Sequence, residues 1–560
     1  MVKHWLLCLA LLLCLLSAQA WGETFYVRPS TAEYGAEDGT SYDAAFDGFA
    51  DIAWATTDTA GSVDAGDTLC VRGAFSAEKL TVAQATGEGT AGNLITVDCS
   101  VSATCSAGTA GTLALTGAET QGILLSAGTD YIEVKGCVVS GATTGGSDPS
   151  ASIATLDGVG IVLTDVESAD NTDTTGIRVR KCQTCTLTRP IAHGSKLHGI
   201  AITGDAVRNA TDITVTSPIA YDNRITGVLV TGGTTAADVQ RVTVTDPIAY
   251  GNGDGAYAKF STSVTFKGTT PGGCKLYEND NVLSTGEGYG GAIQQSNYAS
   301  ITGCEIYSNR GDGVEVWGDA SIPSLGAIVA RNYIHDHTNP IADMSGGNGV
   351  EVRTGYSTAT VSGNILANNQ RNARIGPSEL GTSYLLNNTL LGGVDSIHMV
   401  VGNAPGYAAS AVTGWTIANN ILEGPSAKTL ITDVAAGNSN TFSNNAFDDV
   451  AVTYNDTAYT SATVSAVDAT RLDNVAPDFI GGASPTTAEG FKLSSGSALR
   501  RAGTDLNIGN VQDNGNRAFS HPPSIGAWEA ASGDSATART AATARTAATA
   551  RTAATARTAR

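Results

Sequence analysis

The chain has 560 residues, of which 15% are charged, and its formal net charge is −21 at pH 7. A surface this acidic repels the phosphate backbone, so the composition excludes nucleic acid as a partner. After the first 20 residues, no run of eighteen uncharged apolar residues occurs, so no membrane span is predicted.

The first 20 residues have the pattern of an export signal. The stretch MVKHWLLCLALLLCLLSAQA has the basic residue Lys3, a short apolar run, and small residues at Ala18 and Ala20. This pattern predicts a secretory signal peptide cleaved after Ala20. We therefore expect the mature protein to be secreted or held at the cell surface, and to be a monomer.

Eight of the ten cysteines follow the predicted signal peptide, and an even number in an exported chain favours disulfides. Cys99 and Cys105 flank a short polar loop, which makes them the best local pair. Cys182 and Cys185 have the spacing of a redox motif, but the surrounding RVRKCQTCTLT alternates like a strand. We therefore favour a structural role for this pair over redox chemistry or zinc binding.

From about residue 60, short runs rich in Val, Ile and Thr alternate with Gly, Asn and Asp turns, which is typical of many short strands. One short motif at a predicted turn, called here the corner, recurs ten times, as in TSPIAYDN, TGCEIYSN and SGNILANN. Its copies are 24 to 32 residues apart. Its key positions are Pro190, Pro218, Pro247, Cys274, Cys304, Asn332, Asn364, Asn388, Asn420 and Asn445.

A repeat of this length with three short strands and no helix suits one coil of a parallel β-helix. Stacked coils place equivalent residues about 4.8 Å apart, the usual spacing between strands. The repeat therefore predicts that Cys274 lies on Cys304 and that an asparagine ladder runs from Asn332 to Asn445. Leucine-rich repeats are the competing architecture, but their leucine consensus is missing here.

Two segments carry a family resemblance. TFYVRPSTAEYGAEDG and the residues after it, 24–73, resemble the N-terminal cap of secreted right-handed β-helix proteins of the pectate-lyase-like superfamily. DNGNRAFSHPPSIGAWE, 513–529, is similar to the segment that closes many of them. The resemblance implies an all-β, right-handed parallel β-helix of about 10–12 coils with an N-terminal cap. The superfamily contains lyases, hydrolases, epimerases and non-catalytic proteins, so the fold alone does not choose an activity.

These observations divide the chain into five predicted parts. The last part consists of TARTAA repeats with an arginine every six residues. This period matches neither a helix nor a strand, so the repeat predicts a solvated tail. The parts are the signal peptide (1–20), the cap and first strands (21–75), the β-helix (76–470), the closing segment (471–534) and the low-complexity tail (535–560).

The sequence also predicts which side chains share one outer face of the β-helix. A glycine follows most corners at a nearly fixed distance, and the strand after it alternates inward and outward residues. Two columns of outward-pointing side chains result, one residue from each coil. Each column has small or aliphatic residues in the first coils and charged or aromatic residues in the middle coils. The first is Ala201, Leu229, Tyr257, Ile293 or Gln294, Glu315, Glu351, Arg374 and His398; the second is Thr203, Thr231, Lys259, Gln295, Trp317, Arg353, Gly376 and Val400.

Glu315 and Glu351 should lie on adjacent coils, where two bare carboxylates repel one another. Three arrangements would relieve the repulsion: a shared proton, a bound cation, or salt bridges to Arg353 and Arg374. A Ca²⁺ ion would be held by Glu315, Glu351 and Asp312, because it prefers several carboxylate oxygens. An aspartate before glycine is also common in tight turns, so Asp312 has a structural explanation too.

We expect this face to act on an extracellular polysaccharide, and the preferred hypothesis is a lyase that cleaves an acidic, uronate-containing chain by β-elimination. Arg374, Arg353 or Lys259 would then abstract the proton beside the uronate, and His398 is a further catalytic candidate. A Ca²⁺ ion would offset the charge of the uronate carboxylate.

Two alternatives remain open at this stage. In a glycoside hydrolase, Glu315 and Glu351 would serve as the acid and the base or nucleophile. In a non-catalytic binding protein, Trp317 and Tyr257 would hold the glycan without turnover, and Arg371 is a further substrate-binding candidate in any of the three cases.

The triplet His335-Asp336-His337 resembles a metal or acid–base site. It follows the corner at Asn332, in a segment where other coils carry Tyr-Ser-Asn or Ala-Asn-Asn. Its position therefore favours turn structure over chemistry.

Overall fold

The computed structural model describes residues 22–30, 34–55, 59–83, 88–116, 121–143, 151–234, 238–270, 272–280, 287–337, 346–353, 356–393, 395–399, 413–423, 440–448, 452–454, 457–459, 468–473, 475–506, 512–514 and 523–528. The predicted signal peptide, its cleavage site and the predicted tail lie outside these residues. Contacts divide the chain into two units, 1–191 and 192–560. Each unit has three parallel sheets, numbered here in the order in which one coil visits them.

The first unit contains the predicted cap and the first coils. Its strands pair in parallel with the equivalent strand of the next coil. Sheet 1 has β1 (Thr24–Arg28), β2 (Phe46–Asp47), β3 (Thr68–Val71), β6 (Ile95–Asp98), β9 (Ile132–Lys135), β12 (Val162–Thr164) and β15 (Thr186–Thr188). Sheet 2 has β4 (Ala74–Ser76), β7 (Thr112–Ala114), β10 (Val138–Ser140), β13 (Glu167–Ala169) and β16 (Ile191–His193), and the division between the units falls within β16. Sheet 3 has β5 (Leu80–Val82), β8 (Ile123–Leu125), β11 (Ala151–Leu156) and β14 (Thr175–Arg180).

The second unit continues the same order of strands along the chain. Sheet 1 has β18 (Ala210–Thr216), β21 (Val239–Thr245), β24 (Thr262–Lys267), β27 (Ser300–Thr302), β30 (Ser324–Ala330), β33 (Ser357–Ser362), β36 (Ser383–Leu386), β39 (Trp415–Ala418) and β41 (Thr441–Ser443). Sheet 2 has β19 (Ile219–Tyr221), β22 (Ile248–Tyr250), β25 (Cys274–Tyr277), β28 (Cys304–Tyr307), β31 (Tyr333–His335), β34 (Ile365–Ala367), β37 (Thr389–Leu391), β40 (Ile421–Glu423), β42 (Ala446–Asp448) and β45 (Leu472–Asp473). Sheet 3 has β17 (Ile200–Thr203), β20 (Thr226–Thr231), β23 (Asp254–Lys259), β26 (Gly291–Gln294), β29 (Val314–Trp317), β32 (Asn348–Arg353), β35 (Arg371–Ile375) and β38 (Asp395–Met399).

The predicted parallel β-helix is confirmed. Sheet 3 alone has four strands in the first unit and eight in the second, in agreement with about 10–12 coils. The strands form because alternate apolar residues enter the core; Val314 and Val316 of β29, for example, are fully buried. Burying one such side chain contributes about 1.5–3 kcal/mol. The boundaries proposed between cap, β-helix and closing segment stay predictions.

The remaining described elements are short. They are an antiparallel hairpin of β43 (Val452–Tyr454) and β44 (Thr457–Tyr459), and 3-10 helices at Phe49–Asp51 and Ala488–Phe491. In the closing segment, Phe479, Phe491 and Trp528 pack in one apolar cluster with Tyr333 and Ile365 of the coils. No helix in the described ranges is long and apolar enough to cross a membrane.

The predicted asparagine ladder is present at the turn from sheet 1 to sheet 2. Asn332, Asn364, Asn388, Asn420 and Asn445 are buried, and each donates its side-chain amide to the Oδ1 of the next at 3.0–3.1 Å. The ladder ends on the carboxylate of Asp468, which accepts from Asn445 at 3.0 Å. A hydrogen bond of this kind contributes about 1 kcal/mol, and an unpaired amide here would cost more.

A second ladder, at the turn from sheet 2 to sheet 3, was not predicted. It runs through Asn223, Asn252, Asn279 and Asn309 to His337, where the imidazole takes the place of an amide. Asn309 Nδ2 lies 3.0 Å from His337 Nε2, and His337 Nδ1 lies 2.8 Å from the Oδ1 of Asn369. His337 is therefore a structural residue, as its position in the repeat favours.

The disulfides correct one prediction and support another. The pairs are Cys70–Cys105, Cys99–Cys137, Cys182–Cys185 and Cys274–Cys304. The predicted Cys99–Cys105 pair is wrong because Cys99 stacks on the next coil, where its Cα lies 4.8 Å from that of Cys137. The predicted stacking of Cys274 on Cys304 is confirmed. Four disulfides are consistent with an extracellular or periplasmic location.

Candidate functional site

The register of sheet 3 confirms the first outward column. Leu229, Tyr257, Glu315, Glu351, Arg374 and His398 occupy equivalent positions on successive strands. The uncertain position belongs to Ala292, so the prediction of Ile293 or Gln294 there is wrong. An insertion between the corner at Cys274 and β26 breaks the regular spacing from corner to strand and caused the error.

The second column is confirmed from Thr203 to Arg353, with one correction. Its place at Gly376 stays a prediction, and Val400 lies outside the described residues. Thr231, Lys259, Trp317 and Arg353 stand in register, and the residue between Lys259 and Trp317 is Gln294. The prediction of Gln295 was one residue too far along. Gln295 follows the end of β26 in a left-handed backbone conformation, and its amide bonds Asp319 at 2.7 Å.

Glu315 points away from the β-helix core, yet it is fully buried. Its Oε1 accepts from Arg353 Nη1 at 2.5 Å and from the hydroxyl of Tyr289 at 3.0 Å, and its Oε2 accepts from Gln294 Nε2 at 2.6 Å. Burial raises the pKa of Glu315, while the charge of Arg353 acts in the opposite direction. Both oxygens are therefore occupied by donors from the strands on either side and from a loop.

Glu351 has a similar environment on the next strand and is 2% exposed. Its Oε1 lies 2.8 Å from Arg374 Nη1 and 3.4 Å from Arg353 Nε, and its Oε2 accepts from Asn348 Nδ2 at 3.2 Å. Arg353 thus contacts both glutamates. Of the three arrangements predicted to relieve the repulsion between Glu315 and Glu351, salt bridges to Arg353 and Arg374 are the one that the structure shows.

Asp312 completes this cluster from the turn before β29. It is fully buried, and its Oδ1 accepts from the backbone and side-chain amides of Asn348 at 2.9 and 2.8 Å. Burial raises the pKa of Asp312 well above its ordinary value, and the neighbouring charge of Glu351 raises it further. Both effects favour the protonated form of Asp312.

Asp254 and Tyr289 link the cluster to a loop that precedes β26. Asp254 accepts from the backbone amides of Gly288 and Tyr289, both at 3.1 Å, and burial raises the pKa of its carboxyl to about 7. Burial and the charge of Glu315 raise the pKa of Tyr289, so its hydroxyl stays protonated and donates. Sequence reasoning missed Tyr289 because it lies in no column; only its nearness to the inserted loop could have pointed to it.

The other predicted site residues differ in exposure. The side chains of Arg353 and Arg374 are 27% and 13% exposed, and Lys259 and Trp317 are half-buried. The hydroxyl of Tyr257 donates to Gln294, and burial raises its pKa. His398 is placed by its backbone, in register with Arg374.

Arg371 is not brought to this surface. It lies at the start of β35 opposite Asn348, is 5% exposed, and belongs to neither outward column. The predicted role of Arg371 in substrate binding therefore lacks the exposure that it needs.

The predicted Ca²⁺ site does not fit these residues. Within the described ranges, no group of three or more His, Cys, Asp or Glu side chains is placed to hold a metal ion. The oxygens of Glu315 and Glu351 are directed at arginine and amide donors, and Asp312 Oδ1 accepts from two amides of Asn348. Arginine occupies the place that a cation would take.

Comparison with known proteins gives one family match. A family model described as periplasmic copper-binding protein (NosD) matches residues 205–394, and no curated protein matches the chain. Among the residues that the structure describes, no group of three or more His, Cys, Asp or Glu side chains is placed to hold copper, and the eight cysteines of the body are paired in disulfides. His337 is engaged on both ring nitrogens, and His335 contacts Asp336 at 2.7 Å.

Several solved structures resemble the chain at low identity. They include the pectate lyase Pel9A (15% identity, covering 92% of this chain and 98% of that chain, TM-score 0.35), the A-module of mannuronan C-5 epimerase AlgE4 from Azotobacter vinelandii (18%, 74% and 95%, 0.31), and XylC in complex with xylose (11%, 76% and 84%, 0.39). The parallel β-helix of this chain rests on its own strand register, described above. Similarity at this level says nothing about the reaction.

Proposed function

We propose that the protein binds an acidic extracellular polysaccharide on the outer face of sheet 3 and cleaves it by β-elimination. One observation carries the proposal: Arg353 and Arg374 stand on adjacent strands, each held by a buried glutamate and each still partly exposed. The guanidinium of Arg374 also has a buried Nε that lacks a partner. Because this Nε is closed to solvent, a substrate oxygen would bind the exposed part of the guanidinium.

The arrangement suits a uronate carboxylate. A guanidinium presents donors in a planar fork that matches a carboxylate, and an arginine already fixed by another group loses little freedom on binding. Glu315 and Glu351 fix Arg353 and Arg374 in this way. The half-buried ring of Trp317, next to Arg353 in the second column, offers an apolar surface for a sugar ring.

In β-elimination, a base removes the proton on the carbon beside the carboxylate, the bond to the leaving glycosidic oxygen breaks, and a double bond forms between the two carbons. Negative charge develops on the uronate carboxylate, where Arg353 and Arg374 would stabilise it. Both arginines are held as cations, so we assign them to charge stabilisation and not to proton abstraction.

The base and the acid are assigned by position. His398 follows Arg374 in the first column, one strand away, and is the proposed base. Tyr289 is only 4% exposed and its hydroxyl contacts Glu287 and Glu315, so it is assigned to holding Glu315 in place. Water at the exposed face of sheet 3 is the proposed proton donor to the leaving oxygen. Lys259 lies three strands from Arg353, about 14 Å by strand spacing. At that distance it would bind a neighbouring sugar unit of the same polysaccharide chain.

Hydrolysis fits the geometry less well. A glycosidase needs two carboxyl groups that reach the scissile bond from its two sides. Glu315 and Glu351 are buried, and each is engaged by an arginine and an amide. Freeing either carboxylate would break a buried ion pair, which costs about 3–5 kcal/mol.

The proposal is tested by incubating the full chain with a panel of uronate-containing and neutral polysaccharides. Ultraviolet absorbance of unsaturated uronate ends and the number of reducing ends are followed together. We expect both signals to rise on a uronate polysaccharide. Reducing ends without absorbance would establish hydrolysis, and binding without either signal would establish a non-catalytic glycan-binding protein.

A further inference from the structure

The second unit has a cavity of about 550 Å³ that is separate from the outer face of sheet 3. One wall consists of the turns between sheet 1 and sheet 2 and the strands that follow them, including Thr270, Lys275 and Glu305. The other wall is the closing segment around Thr486 and Thr487. None of the candidate site residues described above lines this cavity.

The charged groups that line the cavity have partners of opposite sign. Lys275 Nζ lies 3.1 Å from Glu305 Oε2. Interaction with His335, whose Nε2 lies 3.8 Å from Glu305 Oε1, and then with Lys275 lowers the pKa of Glu305 to about 2, so it is ionised at neutral pH. Glu489, on the other wall, contacts Lys492. Arg331, which also lines the cavity and is half-buried, is attracted by the charge of Asp513. Each charge in the lining is therefore offset by one of opposite sign, and no excess charge is left to hold an ion.

Its uncharged lining suits a ligand rich in hydroxyl groups. Thr270 and Thr486 each carry a hydroxyl that can donate and accept, and the hydroxyl of Thr487, which accepts from Gly490 N at 3.3 Å, can still donate. Asn514 Nδ2 donates to the carbonyls of Asn332 and Gly363, so this side chain would contribute its oxygen as an acceptor. Tyr333, also in the lining, adds an aromatic side chain to the wall. The volume lies within the range of small-molecule sites, about 300–1,000 Å³.

From this cavity, its paired charges and its hydroxyl-rich walls, we propose a second binding site that takes a small neutral carbohydrate, such as a mono- or disaccharide. The ligand would lie between the coils and the closing segment, and would stabilise the contact between them. This site goes beyond the proposed cleavage of an acidic polysaccharide and does not depend on it.

The test measures binding of xylose, galactose, N-acetylglucosamine, lactose and cellobiose to the full chain by saturation-transfer NMR and calorimetry, with glucuronate as a charged probe. We expect at least one neutral sugar to bind. Thr486→Phe, which places a ring in the cavity from an exposed position, should weaken that binding at least about tenfold. Glu305→Gln, which removes the partner of Lys275, should weaken it as well.

Two controls separate this site from sheet 3 and from general effects of substitution. Arg374→Ala should leave neutral-sugar binding unchanged, and so should Thr441→Phe, an exposed threonine that does not line the cavity. The proposal is overturned if no neutral sugar of the panel binds, if glucuronate binds more tightly than all of them, or if Thr486→Phe and Glu305→Gln both bind like the wild type.

Discussion

Four acidic side chains of the site are buried against two arginines. Asp254, Asp312, Glu315 and Glu351 are each at most 4% exposed, and among the described residues Arg353 and Arg374 are the cations that contact the glutamates. Burial raises the pKa of Asp312 well above its ordinary value and the pKa of Asp254 to about 7, so both aspartates take up a proton more readily than an exposed carboxyl does. The sequence predicted the salt bridges as one of three solutions to the repulsion between Glu315 and Glu351; it did not predict the raised pKa values of the two buried aspartates.

The raised pKa of Asp254 makes part of the stability depend on pH. A carboxyl with a raised pKa in the folded state favours folding below its ordinary pKa of 3.8, and this contribution is lost as pH rises towards about 7. We expect Asp254→Asn to remove this loss, because an amide keeps the acceptor for Gly288 and Tyr289 without the charge. As pH rises from 3.8 to about 7, the free energy of unfolding of the variant minus that of wild type should increase by up to about 4 kcal/mol.

Denaturant unfolding at a series of pH values measures this difference. The groups that act electrostatically on Asp254 include Glu287 and Glu315, and both remain in the variant. Asp212→Asn is the matched control, since Asp212 is exposed and paired with Arg241. A difference between Asp254→Asn and wild type that stays constant with pH would contradict the account.

At the scale of strands and turns, the regularity of the coils decided what could be predicted. The columns through Glu315 and Arg353 followed from a period of two residues counted from a glycine. The same count failed at β26 because residues were inserted before it. Burial of Glu315 could not be predicted, since a strand pattern tells which way a side chain points but not which loop, here that of Tyr289, covers it.

The second ladder provides a prediction about an element. His337 is buried between Asn309 and Asn369, and burial lowers its pKa to about 4. A lowered pKa gives stability above the ordinary value of 6.5 that is lost as pH falls towards 4. We expect His337→Asn, which restores the amide found on the other coils, to reduce this loss by up to about 3 kcal/mol.

Thermal or denaturant unfolding between these pH values checks the effect of His337→Asn. His193→Asn serves as the control, because His193 stacks on Tyr221 in a half-buried position on the outside of the coil. If wild type and His337→Asn lose the same stability on acidification, the imidazole does not act as a neutral member of the ladder.

The whole molecule carries a net charge of −21 and should repel a polyuronate at long range. Raising the ionic strength from about 0.01 M to about 0.15 M shortens the Debye length from about 30 Å to about 8 Å. We therefore expect salt to increase the association rate with an oligouronate several-fold, measured by stopped-flow tryptophan fluorescence. A rate that falls with salt would show that the cations of sheet 3 dominate the approach, contrary to this expectation.

The central claim is that Arg374 and its neighbours on sheet 3 perform β-elimination on a uronate chain. The most direct measurement is the rate of unsaturated product formed by Arg374→Lys, which keeps the charge beside Glu351 but loses the planar fork. Arg241→Lys, an exposed arginine also paired with an aspartate, is the control. We expect kcat/KM to fall about a hundredfold in Arg374→Lys and to stay unchanged in Arg241→Lys, with both variants folded. A folded Arg374→Lys that forms unsaturated product at the wild-type rate would contradict the claim.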